Sequence, residues 1–225
     1  MLVDNLEKIN QEIRLACQKA SRSDNDVTMI AVTKSVGKEI AKELAELGIE
    51  NMAENRVDKL LEKKVALESF SSIKWHLIGN LQRRKVKSII NEIDYFHALD
   101  SLKLAEEIQK RAEKQISCFV EVNVTGEESK HGFKSEEVLD FIHQLADFDR
   151  IKVVGLMTMA PLNASEQVLH EVFSKLKKLQ SAVNNQHLSY APCTELSMGM
   201  SNDFPIAIEE GATFVRIGTA IFRGA

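Results

Sequence analysis

Short β-rich apolar runs alternate with longer helical patterns through most of this sequence, the mark of βαβ units sharing a parallel sheet covered on both faces. Eight runs qualify, at 27–33, 49–53, 75–78, 95–99, 118–124, 153–158, 195–198 and 213–217. Helical patterns start near Lys38, Arg56, Gln82, Ser101, Ser135, Ser165 and Phe204. Several carry capping signals, among them Asp100-Ser101, and Ser135 followed by Glu136 and Glu137 in the first turn. Eight strands with interposed helices close as an α/β structure, a (β/α)8 TIM barrel. An open doubly wound sheet is the competitor, but no G-x-G-x-x-G follows the first run. The 225 residues, 44% of them hydrophobic, supply enough apolar mass for one such domain, and no Pro/Gly/Ser-rich linker divides them. An extra helix precedes the first run, because Leu2, Leu6, Ile9, Ile13 and Ala16 or Cys17 recur at helical spacing among acids.

Several function classes drop out. A net charge of −4 leaves no electrostatic footprint for nucleic acid or an anionic membrane. No apolar run approaches the roughly 20 residues that cross a bilayer, and the amphipathic N-terminus is not a signal peptide. Cys17, Cys118 and Cys193 lack C-x-x-C spacing, which argues against a disulfide framework or a zinc knuckle and suits a reducing cytoplasm. The six histidines form no H-x-H or H-E-x-x-H pair, so no metal is expected; His76 and His97 fall in strands and read as satisfied interior groups. The basic stretch Arg83-Arg84-Lys85-Val86-Lys87 reads as the solvated face of a helix start. No interface helix or apolar surface stripe is legible, so a monomer with a small-molecule partner is expected.

Chemistry on such a barrel sits at the C-terminal strand ends, with phosphate often in the loops after strands seven and eight. The first run ends MIAVTK, which puts Lys34 on the same side as Ile30 and Val32; if those fill the interior, its ammonium points into the mouth. A lysine at a strand end is ordinarily solvated, whereas one shielded in a mouth falls below its usual pKa of about 10.4 and offers a free amine to an aldehyde. The seventh run leads into LSMGMSNDF, where Gly199 relaxes the backbone and Ser201 and Asn202 offer groups that cradle an oxyanion. The competing use of that turn is a helix cap by Ser201, Asn202 or Asp203. In the eighth run, TFVRIGT, Arg216 and Gly218 share a face, so Arg216 projects inward and requires a partner, of which an internal salt bridge is the bland version. Gly218 and Thr219 follow where a small residue and a hydroxyl complete a phosphate site. An amine, an arginine and two such turns match an aldehyde-and-phosphate cofactor better than a metal.

These residues lie within segments that resemble the pyridoxal phosphate homeostasis proteins, single-domain barrels related to the N-terminal domain of alanine racemase. The resemblance runs from about Val27 to the C-terminus, through AVTKS (31–35), AENRVDK (53–59), WHLIGNLQRRK (75–85), VNVTGEESKHGF (122–133), GLMTMAP (155–161) and LSMGMSNDFPIAIEEGATFVRIGTAIF (196–222). It implies that Lys34 holds pyridoxal 5′-phosphate as a Schiff base, and that Ser201, Gly218 and Thr219 hold the phosphate. It further implies that Arg216 faces the pyridine nitrogen, that Asn55 lies near the ring, and that Met198, with Met200 less directly, walls the pocket. An arginine beside that nitrogen discourages its protonation and weakens the ring as an electron sink. Departures from the family pattern are Asn80 for a histidine, Ala53 for a glycine and Thr33 for a frequent serine, and they bear on the surroundings of the site.

The resemblance therefore implies a coenzyme carrier in vitamin B6 and amino-acid homeostasis with little or no turnover, whose recipients would be PLP-dependent apoenzymes. The alternative is a PLP-dependent amino-acid racemase of low activity. Fast racemisation needs a second acid/base on the opposite ring face, which in alanine racemases is a tyrosine from an additional β domain; this sequence ends at Ala225 and offers only Tyr95 and Tyr190. A cofactor-free Schiff-base aldolase would keep Lys34 but leave Arg216 and the Ser201 turn unexplained.

Overall fold

The computed structural model describes residues 1–127 and 131–224. Its strands are β1 (Thr28–Val32), β2 (Asn51–Glu54), β3 (Lys74–Leu77), β4 (Tyr95–Leu99), β5 (Ile116–Asn123), the two-residue β6 (Phe133–Lys134), β7 (Ile151–Met157), β8 (Glu195–Met200) and β9 (Phe214–Ile217). Eight of them close a parallel ring in the order β1-β2-β3-β4-β5-β7-β8-β9, with β9 returning to β1; β6 pairs only with the outer end of β5. The expected eight-stranded barrel is therefore the fold, with every strand boundary within two residues of its expected place and 95–99 matched outright.

Helices α1 (Leu2–Lys19), α2 (Lys38–Glu46), α3 (Val57–Ala66), α4 (Arg83–Ile89), α5 (Leu102–Arg111), α6 (Val138–His143), α7 (Glu166–Asn184) and α8 (Phe204–Glu209) accompany the ring. The extra helix α1 buries Leu2, Leu6, Ile9, Ile13, Ala16 and Cys17 and packs along α8; each buried aliphatic side chain contributes about 1.5–3 kcal/mol. Asn5 ties it down further by donating to the carbonyls of Ile221 and Arg223 at 2.9 and 3.1 Å. Ser165 caps α7, accepting from the Val168 N–H at 3.4 Å. The two capping expectations, at Ser101 and Ser135, need correction. Ser101 occupies the N-cap of α5 without a side-chain hydrogen bond, and Ser135 opens a 3-10 turn in which Glu137 accepts from the Lys134 N–H at 2.8 Å, so that α6 starts only at Val138.

The barrel interior is a packed core. His76, Tyr95, His97, Phe119 and Phe214, from four strands, meet there with ring centroids 4.4–6.4 Å apart. This layer plugs the ring and floors a cavity at the C-terminal mouth, while Tyr95 and Phe214 also line a depression at the opposite end.

Candidate functional site

That cavity, about 450 Å³, is lined by Lys34, Asn55, Ser201, Arg216, Gly218 and Thr219, together with Asn80, Glu121, His131 and Met200. Six of the seven expected site residues thus converge on one mouth. The seventh does not: Met198 is fully buried and absent from the lining, whereas Met200 is present. Ser197 points inward, so Met198 points out toward the helices. The β8–β9 register then slips between Ser197 and Met200 at Gly199, whose φ of +95° favours glycine, and Met200 comes back to the cavity.

Lys34 also differs from expectation. The strand ends at Val32 and the chain turns, so the side chain lines the mouth but is exposed to solvent, and no hydrogen bond holds it among the described residues. What is fixed is the peptide behind it. Lys63, on α3 and 3% exposed, donates to the Thr33 carbonyl at 2.6 Å and pairs with the Glu54 carboxylate, which also accepts from Thr33 Oγ1 at 2.7 Å. A buried ion pair between barrel wall and helix therefore anchors the residue immediately before Lys34.

Arg216 is 4% exposed and faces Ile30 across the β1–β9 pairing. Its Nη1 donates to Ser197 Oγ at 2.6 Å and its Nη2 to the Thr158 carbonyl at 3.0 Å. The partners are neutral acceptors and not the internal salt bridge of the competing reading, with Asp203 and Glu121 supplying longer-range attraction; burial lowers the guanidinium pKa to about 10, which still leaves it a cation at neutral pH. The chain continues beneath it. Ser197 Oγ lies 2.8 Å from His97 Nδ1, His97 Nε2 lies 2.9 Å from His76 Nδ1, and His76 Nε2 lies 3.0 Å from Asn51 Oδ1. Burial lowers the His76 pKa to about 3 and that of His97 well below its ordinary value, so both rings are neutral and each passes one hydrogen along the row. With Asn51 accepting, every member is satisfied: both imidazoles carry their proton on Nε2, and the Ser197 hydroxyl donates to His97. The interior reading of both histidines holds, and the row clamps the Arg216 head.

At the β8 and β9 ends, Ser201 Oγ accepts from the N–H groups of Gly218 and Ala220 at 3.3 and 3.2 Å. Ser201 is thus no cap of α8, whose N-cap is Asp203; that carboxylate accepts from the Met200 N–H at 2.6 Å. A Cβ on Gly218 would stand 3.1 Å from the Val32 carbonyl oxygen and 3.4 Å from its Cβ, so a side chain there would push the turn a few tenths of an ångström off β1. The Ser201 hydroxyl hydrogen, on an oxygen those two N–H groups fix, and the N–H and hydroxyl of Thr219 in the same turn are a donor set for a phosphate monoester.

Three features of the site had not been assigned from the sequence. Ser197 had no signal beyond its inward parity with Glu195 and Gly199. The Glu54–Lys63 pair was hinted at by two charges on apolar faces of β2 and α3. Glu121 stands alone as an acid in the apolar run of β5. It is 5% exposed, lines the cavity, and burial foremost, then Asp100, raises its pKa, with His131 and Arg216 pulling the other way. A raised folded-state pKa means that stability is intact below the unfolded carboxyl range, about pH 4, and is lost as pH rises through the folded value. Glu121→Gln is therefore expected to melt higher than the parent at neutral pH, with the gap shrinking toward pH 4; a pH series of melting temperatures that runs parallel for the two proteins contradicts this.

Residues 5–225 match the family described as alanine racemase, N-terminal domain. The chain is 38% identical over 222 residues to the pyridoxal phosphate homeostasis protein of Aquifex aeolicus, covering 97% of this chain and 96% of that one. It is also similar to PipY of Synechococcus elongatus, solved with PLP bound, at 28% identity and a TM-score of 0.82 over 94% of this chain and 99% of that one. An alanine racemase from Corynebacterium glutamicum, at 15% identity and a TM-score of 0.70, shares the fold over 96% of this chain and 61% of its own.

Proposed function

This chain belongs to the pyridoxal phosphate homeostasis protein family, built on the alanine racemase N-terminal domain, and on that premise we propose that it binds pyridoxal 5′-phosphate as a Schiff base on Lys34 and carries the coenzyme with little or no turnover. The observation that carries this reading is the meeting, in one cavity, of a primary amine, a clamped guanidinium and the Ser201–Gly218–Thr219 turn. When bound, the coenzyme supplies an aldehyde that condenses with an amine and releases water. Lys34 offers that amine on an exposed side chain next to a peptide anchored by Lys63. The turn of Ser201, Gly218 and Thr219 receives the phosphate, with the Ser201 and Thr219 hydroxyls and the Thr219 N–H as donors, Arg216 faces the pyridine nitrogen, Asn55 stands beside the ring, and Met200 closes one wall in the place expected of Met198. Arg216 gives two of its five N–H groups to Ser197 and Thr158, keeps the others free to face the pyridine nitrogen, and as a cation without an acceptor atom discourages protonation there.

The racemase alternative draws less support. Neither tyrosine lines the cavity: Tyr95 is stacked on His76 in the barrel core, and Tyr190 lies in the segment before β8. Alanine racemisation near the median enzyme rate of about 10 per second would overturn the carrier reading. A cytoplasmic location and handover to PLP-dependent apoenzymes belong to the same proposal; no helix among the described residues is long and apolar enough to cross a membrane.

Titration with pyridoxal 5′-phosphate tests the whole reading, since a visible absorbance band belongs to the coenzyme and not to the polypeptide. A protein that stays colourless at saturating coenzyme contradicts it. Arg216→Ala is expected to weaken coenzyme retention by about 10- to 100-fold, the worth of one charged hydrogen bond of about 1.5–3 kcal/mol. Equal dissociation constants for the variant and the parent would remove Arg216 from the site.

A further inference from the structure

Two carboxylates line the cavity, and only one is committed. Asp203 accepts a backbone N–H, while Glu121, 95% buried, has no hydrogen bond among the described residues. Leaving a carboxylate buried and unpaired is costly unless something in the site uses it. In the eight-strand ring β5 lies opposite β1, so Glu121 and Lys34 face whatever sits between them from opposite walls. On the same side as Glu121 the rim carries the exposed Asn80 and His131, where the Asn80 amide donates to the His131 ring at 3.4 Å. The second amide N–H and the far ring nitrogen remain as donors, so the wall offers an acceptor below and donors above, which is the polarity of an α-amino acid entering ammonium first.

We propose that Glu121, with Asn80 and His131, forms a subsite for an α-amino acid, the Glu121 carboxylate holding the ammonium while the two rim residues meet the carboxylate. An amino acid held there would stand in the same cavity as the coenzyme, facing Lys34 from the opposite wall, so the use of the subsite rests on the coenzyme reading, although its existence does not.

The test uses coenzyme-free protein titrated with L-alanine, ethylamine and propionate by NMR. L-Alanine and ethylamine are expected to bind the parent, propionate is not, and Glu121→Gln is expected to weaken both amines about tenfold or more, as loss of a charged hydrogen bond implies. Asn80→Ala combined with His131→Ala is expected to weaken L-alanine while sparing ethylamine. Equal L-alanine affinity in Glu121→Gln and the parent, with both melting as folded proteins, overturns the subsite, as does failure of either amine to bind the parent. Parallel coenzyme titrations separate the two readings. Normal coenzyme uptake with unchanged amine binding sinks the subsite alone, and amine binding lost on Glu121→Gln in a protein that takes up no coenzyme sinks the coenzyme reading alone.

Discussion

Lys34→Ala is expected to fold as the parent does and to take up no coenzyme: after incubation with pyridoxal 5′-phosphate and desalting, the visible band is absent rather than reduced. The fold is spared because Lys34 is exposed, lies beyond the end of β1 and holds no hydrogen bond among the described residues, so its truncation falls in the surface class of about ±0.5 kcal/mol. The chemistry is not spared, since a Schiff base needs a primary amine within the cavity, and Lys34 is the lysine among the residues that line it. Lys34→Arg sharpens the comparison by keeping the charge while removing the condensable amine, and it too is expected to be colourless. A band of parental strength in either variant assigns the linkage elsewhere.

Lys63→Met is expected to cost about 3–5 kcal/mol, because it strands the Glu54 carboxylate inside the protein. Glu54 is fully buried, its Oε2 has no partner among the described residues, and its Oε1 is held by Lys63 and Thr33. At roughly 2–4 °C per kcal/mol for a domain of this size, the melting temperature should fall by roughly 6–20 °C. Glu54→Met on the Lys63→Met background should return most of that loss, since replacing a buried pair with well-packed apolar groups is often neutral. A single variant that melts within 2 °C of the parent, a small fraction of the expected drop, or a double variant no better than the single, contradicts the assignment of this pair as a buried anchor. The anchor also touches function, for Lys63 grips the Thr33 carbonyl next to Lys34.

The barrel was legible because its signals are local. Runs of β-rich residues, and the inward parity of Ile30, Val32 and Lys34 or of Phe214, Arg216 and Gly218, repeat in the sequence what the pleat does in space. Sequence parity failed at β8, where Met198 and Met200 share it yet point to different layers, since a register slip depends on the pairing with β9 and has no local mark except Gly199. It also overstated the burial of Lys34, since parity says which way a side chain leaves a strand and not how far the strand extends. Partners were harder still. A buried Arg216 announced that it needed an acceptor, but Ser197 lies 19 residues away and Thr158 lies 58, and only the closed ring brings them together. The same holds for His76, His97 and Asn51, each of which reads alone as an ordinary strand polar residue.

Reduction of the coenzyme-treated protein with borohydride converts a Schiff base into a stable amine, and peptide mass mapping then names the nitrogen that carried it. The expected result is one modified peptide, with the adduct on Lys34. Modification of Lys63, of a surface lysine, or of no lysine in a protein that had turned yellow would contradict covalent capture at the end of β1.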